Sequence, residues 1–224
     1  MNQPINETPV QIIINGRAAM TIMTSAEDPT DLVVGQLYTE RAIETYADIT
    51  SMHTDGTQTS VVTTNPFEIL LSRKTVLAGC GGASSFLDSG RLGNITSDLA
   101  ISAEQIQSSA ARLPETCWHS GALFTEEGRL LVAVTDLTSQ NVADQIIGWG
   151  LAHSTIFEKT YLLISGNIVA ETVRKAVIAK IPLLITDAEI TTAAVATADD
   201  AGMTLCKLVE DTVIPHTRSN HCIL

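Results

Sequence analysis

Short apolar runs alternate with stretches of helical periodicity over the second half of the chain, and this alternation most limits the folds open to it. The apolar runs are short and predict strands, whereas the longer stretches between them predict amphipathic helices. Strands that alternate with helices are typical of crossover units, so we expect a partly parallel sheet covered on both faces. The predicted strands are 122–124, 130–135, 161–164, 183–186 and 204–208, and the predicted helices are 102–113, 140–151, 169–179 and 191–201.

The first part of the chain has a different pattern, dominated by hairpins. Asn15-Gly16 and Asp55-Gly56 are typical two-residue hairpin turns, and each lies between β-rich runs. Asp28 as the cap and Pro29 as the first residue open a predicted helix that continues to Ile43. We therefore predict a β-rich N-terminal domain with one helix at 1–75, a cysteine-containing linker at 76–101 and an α/β domain at 102–224.

Charge, cysteine content and motifs exclude several classes of protein. The 224 residues carry 25 acidic and 13 basic side chains, and the net charge of -12 repels nucleic-acid phosphates. The cysteines at 80, 117, 206 and 222 include no C-x-x-C pair, which argues against a zinc knuckle or a disulfide framework. The absence of G-x-S-x-G, P-loop and H-x-E with P-C-x-x-C motifs argues against a hydrolase, an NTPase and a zinc deaminase. Because the sequence has no signal-peptide pattern and no membrane-length apolar run, we expect a cytoplasmic protein without a membrane partner.

Cys80 is the first candidate for chemistry. It lies between Gly79 and Gly81-Gly82, in a stretch of small and polar residues that continues to Ile95. Flanking glycines leave the backbone free and the sulfur unshielded, so this thiol is able to accept a sulfur atom and deliver it elsewhere. The alternative is a surface loop in which the cysteine has no role.

Cys117 and His119 form a second candidate pair. They are two residues apart, so their side chains would lie on one face of a strand. Three interpretations stay open: a thiol with its base, two metal ligands, or a half-buried cysteine beside a histidine that bonds to backbone. Among the four thiols we expect Cys80 alone to be needed for sulfur relay, with Cys117 as its rival because a nearby base activates a thiol. Cys206 in an apolar strand is expected to be buried and inert, and Cys222 lies in the terminal tail.

Polar residues follow three of the predicted strands at the points where helices begin. Ends of strands that run the same way meet at one edge of a sheet, so we predict that these residues line one pocket near His119. Helix-opening N–H groups at such an edge favour an anionic ligand. The alternative role of the first of them, Asp136, is to cap the next helix. The predicted pocket residues are Asp136, Ser165, Gly166 and Thr186.

At these positions the sequence resembles the formate dehydrogenase accessory sulfurtransferase family, over a span from Glu7 to Leu208. The resemblance rests on the order and spacing of many blocks rather than on any single block. The matching positions are 7–10, Asn15-Gly16, Met23-Thr24, 31–37, Glu40, Ile43, Cys80-Gly81, 119–122, Asp136, Asn141, Asp144, Ile147-Gly148, Ser165-Gly166, Lys175, Ile181-Pro182, Ala194-Val195, Gly202 and Leu205.

The resemblance implies a fold, a reaction and partners. The implied fold is α/β (α+β), with a small N-terminal β-rich domain and a cytidine-deaminase-like three-layer α/β/α domain without a metal. The implied activity is that of a homodimeric sulfurtransferase, in which Cys80 takes persulfide sulfur from a cysteine desulfurase and passes it to the molybdenum bis-guanylyl cofactor of formate dehydrogenase. The guanine dinucleotide of that cofactor would bind the C-terminal domain through His119, Asp136, Asn141, Ser165, Gly166 and Thr186.

The sequence departs from the family pattern at several positions. Ala83 stands where many members have a second cysteine, Ser139-Gln140 replaces an Arg-His pair, Gln145 replaces a lysine and Asn167 replaces an arginine. Loss of cations weakens anion binding, because charged hydrogen bonds are the strong ones. Three functions therefore stay open: a sulfur carrier, a cofactor-binding chaperone without sulfur transfer, and an interaction protein without catalysis.

Overall fold

Residues 5–64 form a four-stranded sheet with one helix packed against it. The computed structural model describes residues 5–64, 92–115, 118–210, 212–218 and 220–223. The sheet order is β2-β1-β4-β3, in which β1 and β4 run parallel and the other neighbours are antiparallel. Both predicted hairpins are therefore confirmed. The strands are β1 (Thr8–Ile14), β2 (Arg17–Thr24), β3 (Ile49–Asp55) and β4 (Gln58–Thr63).

The Asn15-Gly16 turn both reverses the chain and ties the first hairpin to β4. Asn15 and Gly16 have φ values of 49° and 78°, the left-handed conformation that tight hairpin turns require. The Asn15 side chain also donates a hydrogen bond to the Thr63 hydroxyl and accepts one from the Thr63 N–H, both at 2.9 Å. The turn residue thus fixes the register between the two hairpins.

Helix α1 (Thr30–Thr39) packs its apolar side chains against β1 in one buried cluster. Asp28 supports its first turn, because the carboxylate accepts a hydrogen bond at 2.9 Å from the first helical N–H. Pro29 occupies the cap position that the sequence predicted for Asp28. The helix stops short of the predicted end at Ile43, because the chain turns at Arg41 with a φ of 58°.

A six-stranded sheet forms the centre of the second half of the chain. Its order is β11-β10-β9-β8-β6-β7, with β8, β9 and β10 parallel and the other neighbours antiparallel. The predicted partly parallel sheet is confirmed, and β11 is an edge strand that the sequence analysis missed. The strands are β6 (His119–Thr125), β7 (Leu130–Asp136), β8 (Thr160–Ser165), β9 (Leu183–Thr186), β10 (Thr204–Val209) and β11 (Thr212–Pro215).

Helices cover both faces of this sheet. Along β8, Leu162 and Ile164 join one buried cluster with α3, α4 and α5, whereas Tyr161 and Leu163 join another with α2. Because successive strand residues point to opposite faces, the two clusters lie on opposite sides of the sheet. The three-layer α/β/α arrangement is therefore confirmed. The helices are α2 (Ala103–Ala110), α3 (Ser139–Ala152), α4 (Ala170–Ile178) and α5 (Thr192–Asp200).

The segment before α2 joins the two halves of the chain. Residues 92–100 contain no helix or strand, and β5 (Ile101–Ser102) then pairs in parallel with β12 (Cys222–Ile223). Ser102 caps α2 as predicted, since its hydroxyl accepts a hydrogen bond from the Gln105 N–H at 3.2 Å. The predicted domain boundary at residue 75 lies outside the described residues. None of the helices in the described ranges is long and apolar enough to cross a membrane.

Two glycines allow α1 to cross α3 at very short range. A Cβ atom added at Gly35 would overlap with the backbone carbonyl of Asp144, and one added at Gly148 would overlap with the backbone carbonyl of Asp31. The helix backbones therefore touch where a side chain would hold them apart. Through this contact, the N-terminal sheet and its helix pack against the six-stranded domain.

A buried ion pair stabilises the same contact. The Lys175 Nζ on α4 lies 2.8 Å from the Asp144 carboxylate on α3, and both side chains are almost fully buried. Gln36 and Thr39 of α1 accept further hydrogen bonds from this ammonium, at 3.0 and 3.1 Å. Burial raises the pKa of Asp144, and the charge of Lys175 acts against that shift. One ammonium thus connects three helices from both halves of the chain.

Candidate functional site

The polar strand ends meet at one edge of the six-stranded sheet. His119 pairs with Asp136, Ser120 with Ser165, and Ile164 with Thr186, so the start of β6 lies beside the ends of β7, β8 and β9. The convergence that the sequence predicted follows directly from this register. The part that these residues play in binding stays a prediction.

A cavity of 250 Å³ opens at this edge, on the face covered by α2. Ser165 and Thr186 line it as predicted, together with Ser120 and Asp187, whereas the predicted Gly166 is not among its lining residues. Its apolar wall comes from β8, β9 and β10 and from the end of α2. The remaining lining residues are Ala110, Leu113, Pro114, Glu115, Leu163, Ile164, Ile185 and Leu208.

Asp187 organises the mouth of the cavity, although the sequence analysis did not select it as a binding residue. Its carboxylate accepts a hydrogen bond from the Ser165 hydroxyl at 2.7 Å and another from the Gly166 N–H at 3.2 Å. The Thr186 hydroxyl donates to the Gly166 carbonyl at 2.8 Å. These bonds hold the turns after β8 and β9 together. The available signal was its position directly after Thr186, at the same strand end.

His119 packs directly against Gly166. A Cβ atom at Gly166 would overlap with the imidazole ring, and the φ of 135° at this glycine is a further reason why a side chain is disfavoured there. The Nδ1 atom of His119 is buried and has no hydrogen-bond partner among the described residues. Burial lowers the pKa of His119, while the charge of Asp136 acts in the opposite direction. The imidazole is therefore neutral near pH 7, and its buried Nδ1 atom faces Gly166.

Asp136 is not in the lining of the cavity, because its side chain points to the face of the sheet that α3 covers. Its side chain is fully buried and accepts hydrogen bonds from the Thr24 hydroxyl, the Ser25 N–H and the Gln145 amide. The prediction that Asp136 shares one pocket with Ser165 and Thr186 is therefore wrong. The alternative that it caps α3 through its side chain does not hold either, because the Thr138 hydroxyl does so at 3.1 Å from the Asn141 N–H.

Asn141 belongs to the same buried junction. Its amide donates to the Met23 carbonyl at 2.7 Å and to Asp136 at 3.1 Å. All of these N-terminal partners come from one short segment. Met23 and Thr24 are the last two residues of β2, and Ser25 follows them. The two predicted contacts Asp136 and Asn141 thus join the halves of the protein, next to the site rather than inside its cavity.

Uncharged side chains make hydrogen bonds at three positions where the resemblance led us to expect cations. Ser139 donates to the Asn167 carbonyl at 3.0 Å and lies 3.1 Å from the Thr172 hydroxyl, in a buried position. Gln145 donates to Asp136. The Asn167 side chain accepts a hydrogen bond from the Glu189 N–H at 3.2 Å. Each of these side chains is hydrogen-bonded within the protein, so the fold does not need a cation at these positions.

The candidate cysteines Cys80 and Cys117 lie outside the described residues. Cys206 is buried in β10, as predicted, and Cys222 is buried in β12; both thiols are free, and the Cys206 S–H donates a hydrogen bond to the Cys222 sulfur. This hydrogen bond, followed by burial, raises the pKa of Cys206 and makes it a poor nucleophile. Within the described ranges, no three His, Cys, Asp or Glu side chains are grouped so as to hold a metal ion.

Comparisons with known proteins cover nearly the whole chain. A sulfur carrier protein FdhD from Sulfolobus acidocaldarius is 32% identical over 91% of this chain and 84% of its own. One from Wolinella succinogenes is 29% identical over 90% of this chain and 75% of its own. A crystal structure from Desulfotalea psychrophila, described as a formate dehydrogenase accessory protein, has a TM-score of 0.77 at 20% identity and covers 97% of this chain and 90% of its own. The FdhD/NarQ family model matches residues 5–214, and the chain therefore belongs to the FdhD/NarQ family.

Proposed function

We propose that this protein is a sulfur carrier that acts in the maturation of formate dehydrogenase. The observation that carries the proposal is the family match over residues 5–214, which spans both parts of the fold and the sheet edge with its cavity. Relatives that match over most of their length bear the name sulfur carrier protein FdhD. In this proposal the protein works in the cytoplasm as a homodimer.

The proposed chemistry is the transfer of one sulfur atom through Cys80. The Cys80 thiolate attacks the outer sulfur of a persulfide on a cysteine desulfurase, and a new sulfur–sulfur bond forms as the donor bond breaks. The donor leaves as a thiolate, so the transfer needs neither an oxidant nor a reductant. The persulfide on Cys80 then supplies its outer sulfur to the molybdenum bis-guanylyl cofactor of formate dehydrogenase, which is the substrate that accepts it. The Cys80 thiolate leaves, and the two electrons that reduce the transferred sulfur to sulfide come from the reduced metal centre of that substrate.

The proposed binding site for that substrate is the sheet edge. Ser165 and Thr186 line the cavity there, and hydrogen bonds to Asp187 and to the Gly166 backbone fix their hydroxyls in position. His119 lies at the same edge, on the face of the sheet opposite to Ser120. Pockets that combine an apolar wall with a few convergent polar groups are typical small-molecule sites. The guanine nucleotide portion of the cofactor fits this composition.

The proposal is tested by mapping sulfur on the protein after incubation with a cysteine desulfurase and cysteine. Mass spectrometry is expected to show a gain of one sulfur atom on Cys80 in the wild-type chain and in Cys117→Ala. The gain is expected to disappear in Cys80→Ala. A gain that persists in Cys80→Ala and disappears in Cys117→Ala would reverse the assignment, because His119 two residues away would then be the base of the reactive thiol.

A cofactor-binding chaperone without sulfur transfer is the second candidate. It is favoured by the uncharged side chains Ser139, Gln145 and Asn167, which make hydrogen bonds at positions where the resemblance led us to expect cations. In that case no cysteine gains sulfur from the desulfurase, while guanine nucleotides still bind the chain. The mass-spectrometric result therefore separates the two functions.

A further inference from the structure

Two free thiols lie in contact on the face of the six-stranded sheet that α2 covers. Cys206 belongs to β10 and Cys222 to β12, and both side chains are part of the same buried cluster. The Cys206 S–H donates a hydrogen bond to the Cys222 sulfur. Among the described residues, no third His, Cys, Asp or Glu joins the pair in a group that could hold a metal ion. The arrangement therefore suits the formation of a sulfur–sulfur bond better than the binding of a metal.

The backbone around the two cysteines holds them side by side. The segment that leads to Cys222 returns across β10, where the Thr204 hydroxyl donates a hydrogen bond to the Arg218 carbonyl at 2.9 Å. The same hydroxyl accepts a hydrogen bond from the His221 N–H at 3.2 Å. These contacts place β12 next to β10 without any help from the sulfur atoms.

The two thiols differ in acidity and in access to solvent. The hydrogen bond from Cys206 lowers the pKa of Cys222, and burial acts in the opposite direction. The same hydrogen bond, followed by burial, raises the pKa of Cys206. Cys206 is fully buried, whereas Cys222 retains 5% exposure and its neighbour Ile223 retains 58%. A more acidic thiol near the surface, with a second thiol in contact, is the arrangement of an oxidation-sensitive cysteine and its resolving partner.

We propose that Cys206 and Cys222 are an oxidation site, and that they form a disulfide when the protein meets a hydroperoxide. With hydrogen peroxide, the Cys222 thiolate attacks one oxygen, so a sulfur–oxygen bond forms as the oxygen–oxygen bond breaks, and the departing hydroxide takes up a proton to become water. The Cys206 sulfur then attacks the Cys222 sulfur, and the hydroxyl group leaves as a second water with the Cys206 proton. The two thiols are oxidised and the peroxide is reduced. The first step also removes the Cys222 thiolate, whose hydrogen bond is the main cause of the raised pKa of Cys206.

The disulfide fixes β12 to the main sheet and thereby fixes the start of α2. In the reduced protein β12 pairs in parallel with β5, and the Ile101 N–H donates a hydrogen bond to the His221 carbonyl at 3.0 Å. Strand β5 ends at Ser102, which caps α2. A ladder of two residues on each side holds this connection, so a covalent bond from β12 to β10 is expected to suppress its local opening.

Peptide mapping of the wild-type chain tests the disulfide directly. The folded protein is treated with hydrogen peroxide, denatured in excess N-ethylmaleimide and digested with trypsin without reduction. Cleavage after Lys180, Lys207 and Arg218 places the two cysteines in separate peptides, 181–207 and 219–224. We expect these peptides to be joined, to lack the hydrogen atoms of both thiols, and to separate after treatment with dithiothreitol.

Hydrogen exchange measures the effect of the disulfide on β5. Oxidation is expected to slow exchange of the Ile101 amide roughly tenfold or more, because β12 then stays attached to β10. Cys206→Ala and Cys222→Ala are expected to show no slowing after the same treatment. Cys117→Ala is the control, since it removes a thiol elsewhere in the chain, and we expect it to respond as the wild type does.

Three results would overturn the inference. The first is alkylation of both Cys206 and Cys222 after peroxide treatment. The second is oxygen on Cys222 without a cross-link, or a link from Cys222 to Cys80 or to a second copy of the chain, because the contact with Cys206 would then not direct the reaction. The third is equal exchange of the Ile101 amide before and after the cross-link forms, because the disulfide would then not fix β12.

Discussion

Replacement of Lys175 by methionine is expected to lower the free energy of unfolding by about 3–5 kcal/mol. The change removes the ammonium 2.8 Å from Asp144 and leaves that carboxylate buried without a cation. Methionine has a similar length, so the loss is electrostatic rather than a loss of packing. The hydrogen bonds from Lys175 to Gln36 and Thr39 disappear as well, which loosens the contact of α1 with α3 and α4. Urea denaturation followed by circular dichroism measures the effect.

Two further variants show whether burial of the charge is the cause. Lys180→Met removes an exposed ammonium that lies 3.4 Å from Glu158, and it is expected to cost less than about 1 kcal/mol. The double variant Lys175→Met with Asp144→Leu removes both buried charges and is expected to recover most of the lost stability. If the double variant were as unstable as Lys175→Met alone, the uncompensated carboxylate would not be the origin of the loss.

Replacement of Asp136 by alanine is expected to lower the free energy of unfolding by about 3 kcal/mol or more, because several buried donors lose their acceptor. The carboxylate accepts hydrogen bonds from Thr24, Ser25, Asn141 and Gln145, and these connect the end of β2 and the residue after it to α3. Thermal and urea unfolding measure the loss. The exposed Asp199→Ala serves as control, with an expected change within about 0.5 kcal/mol. Equal stability of the two variants would contradict a structural role for Asp136.

Asp136 also affects the site through His119. Burial lowers the pKa of His119, and the negative charge of Asp136 opposes that shift. Asp136→Asn is therefore expected to lower the pKa of His119 further, since it removes the charge and keeps the shape of the side chain. An NMR titration of the His119 ring protons measures the shift. An unchanged or higher pKa in Asp136→Asn would show that the carboxylate does not act on the imidazole.

Local signals predicted the elements of the fold closely. The Asn15-Gly16 turn and the Ser102 cap need only neighbouring residues, and both occur as predicted. The apolar runs of β8 and β9 are short, β-branched and buried on both faces, and such runs are typical of central strands. These features depend on a few residues in sequence, which explains why the sequence alone indicates them.

Features that have no local sequence signal, or that depend on distant residues, were missed. The end of α1 at Thr39 follows from the left-handed turn at Arg41, which no glycine or proline signals. The crossing of Gly35 and Gly148 brings together positions far apart in the chain, as does the contact of Cys206 with Cys222. Cys222 was expected only to lie in a terminal tail, yet its pairing in β12 buries it against the core.

The site was predicted in part for the same reason. The rule that strand ends share one edge correctly brought His119, Ser165 and Thr186 together, because it depends only on strand direction. It did not distinguish a side chain at the mouth of the cavity from one buried on the opposite face of the sheet. Asp136 and Asp187 both lie at strand ends. Asp136 binds Thr24 of β2, whereas Asp187 binds Ser165 at the mouth of the cavity, and only these contacts show the difference between them.

We propose that sulfur passes through Cys80 on its way to formate dehydrogenase. The most direct measurement follows radiolabelled sulfur from cysteine, through a desulfurase and this protein, to formate dehydrogenase that lacks its cofactor sulfur. We predict that label and formate oxidation both appear with the wild-type chain and with Cys117→Ala, and that neither appears with Cys80→Ala. Equal transfer of label and equal formate oxidation with Cys80→Ala would contradict the account.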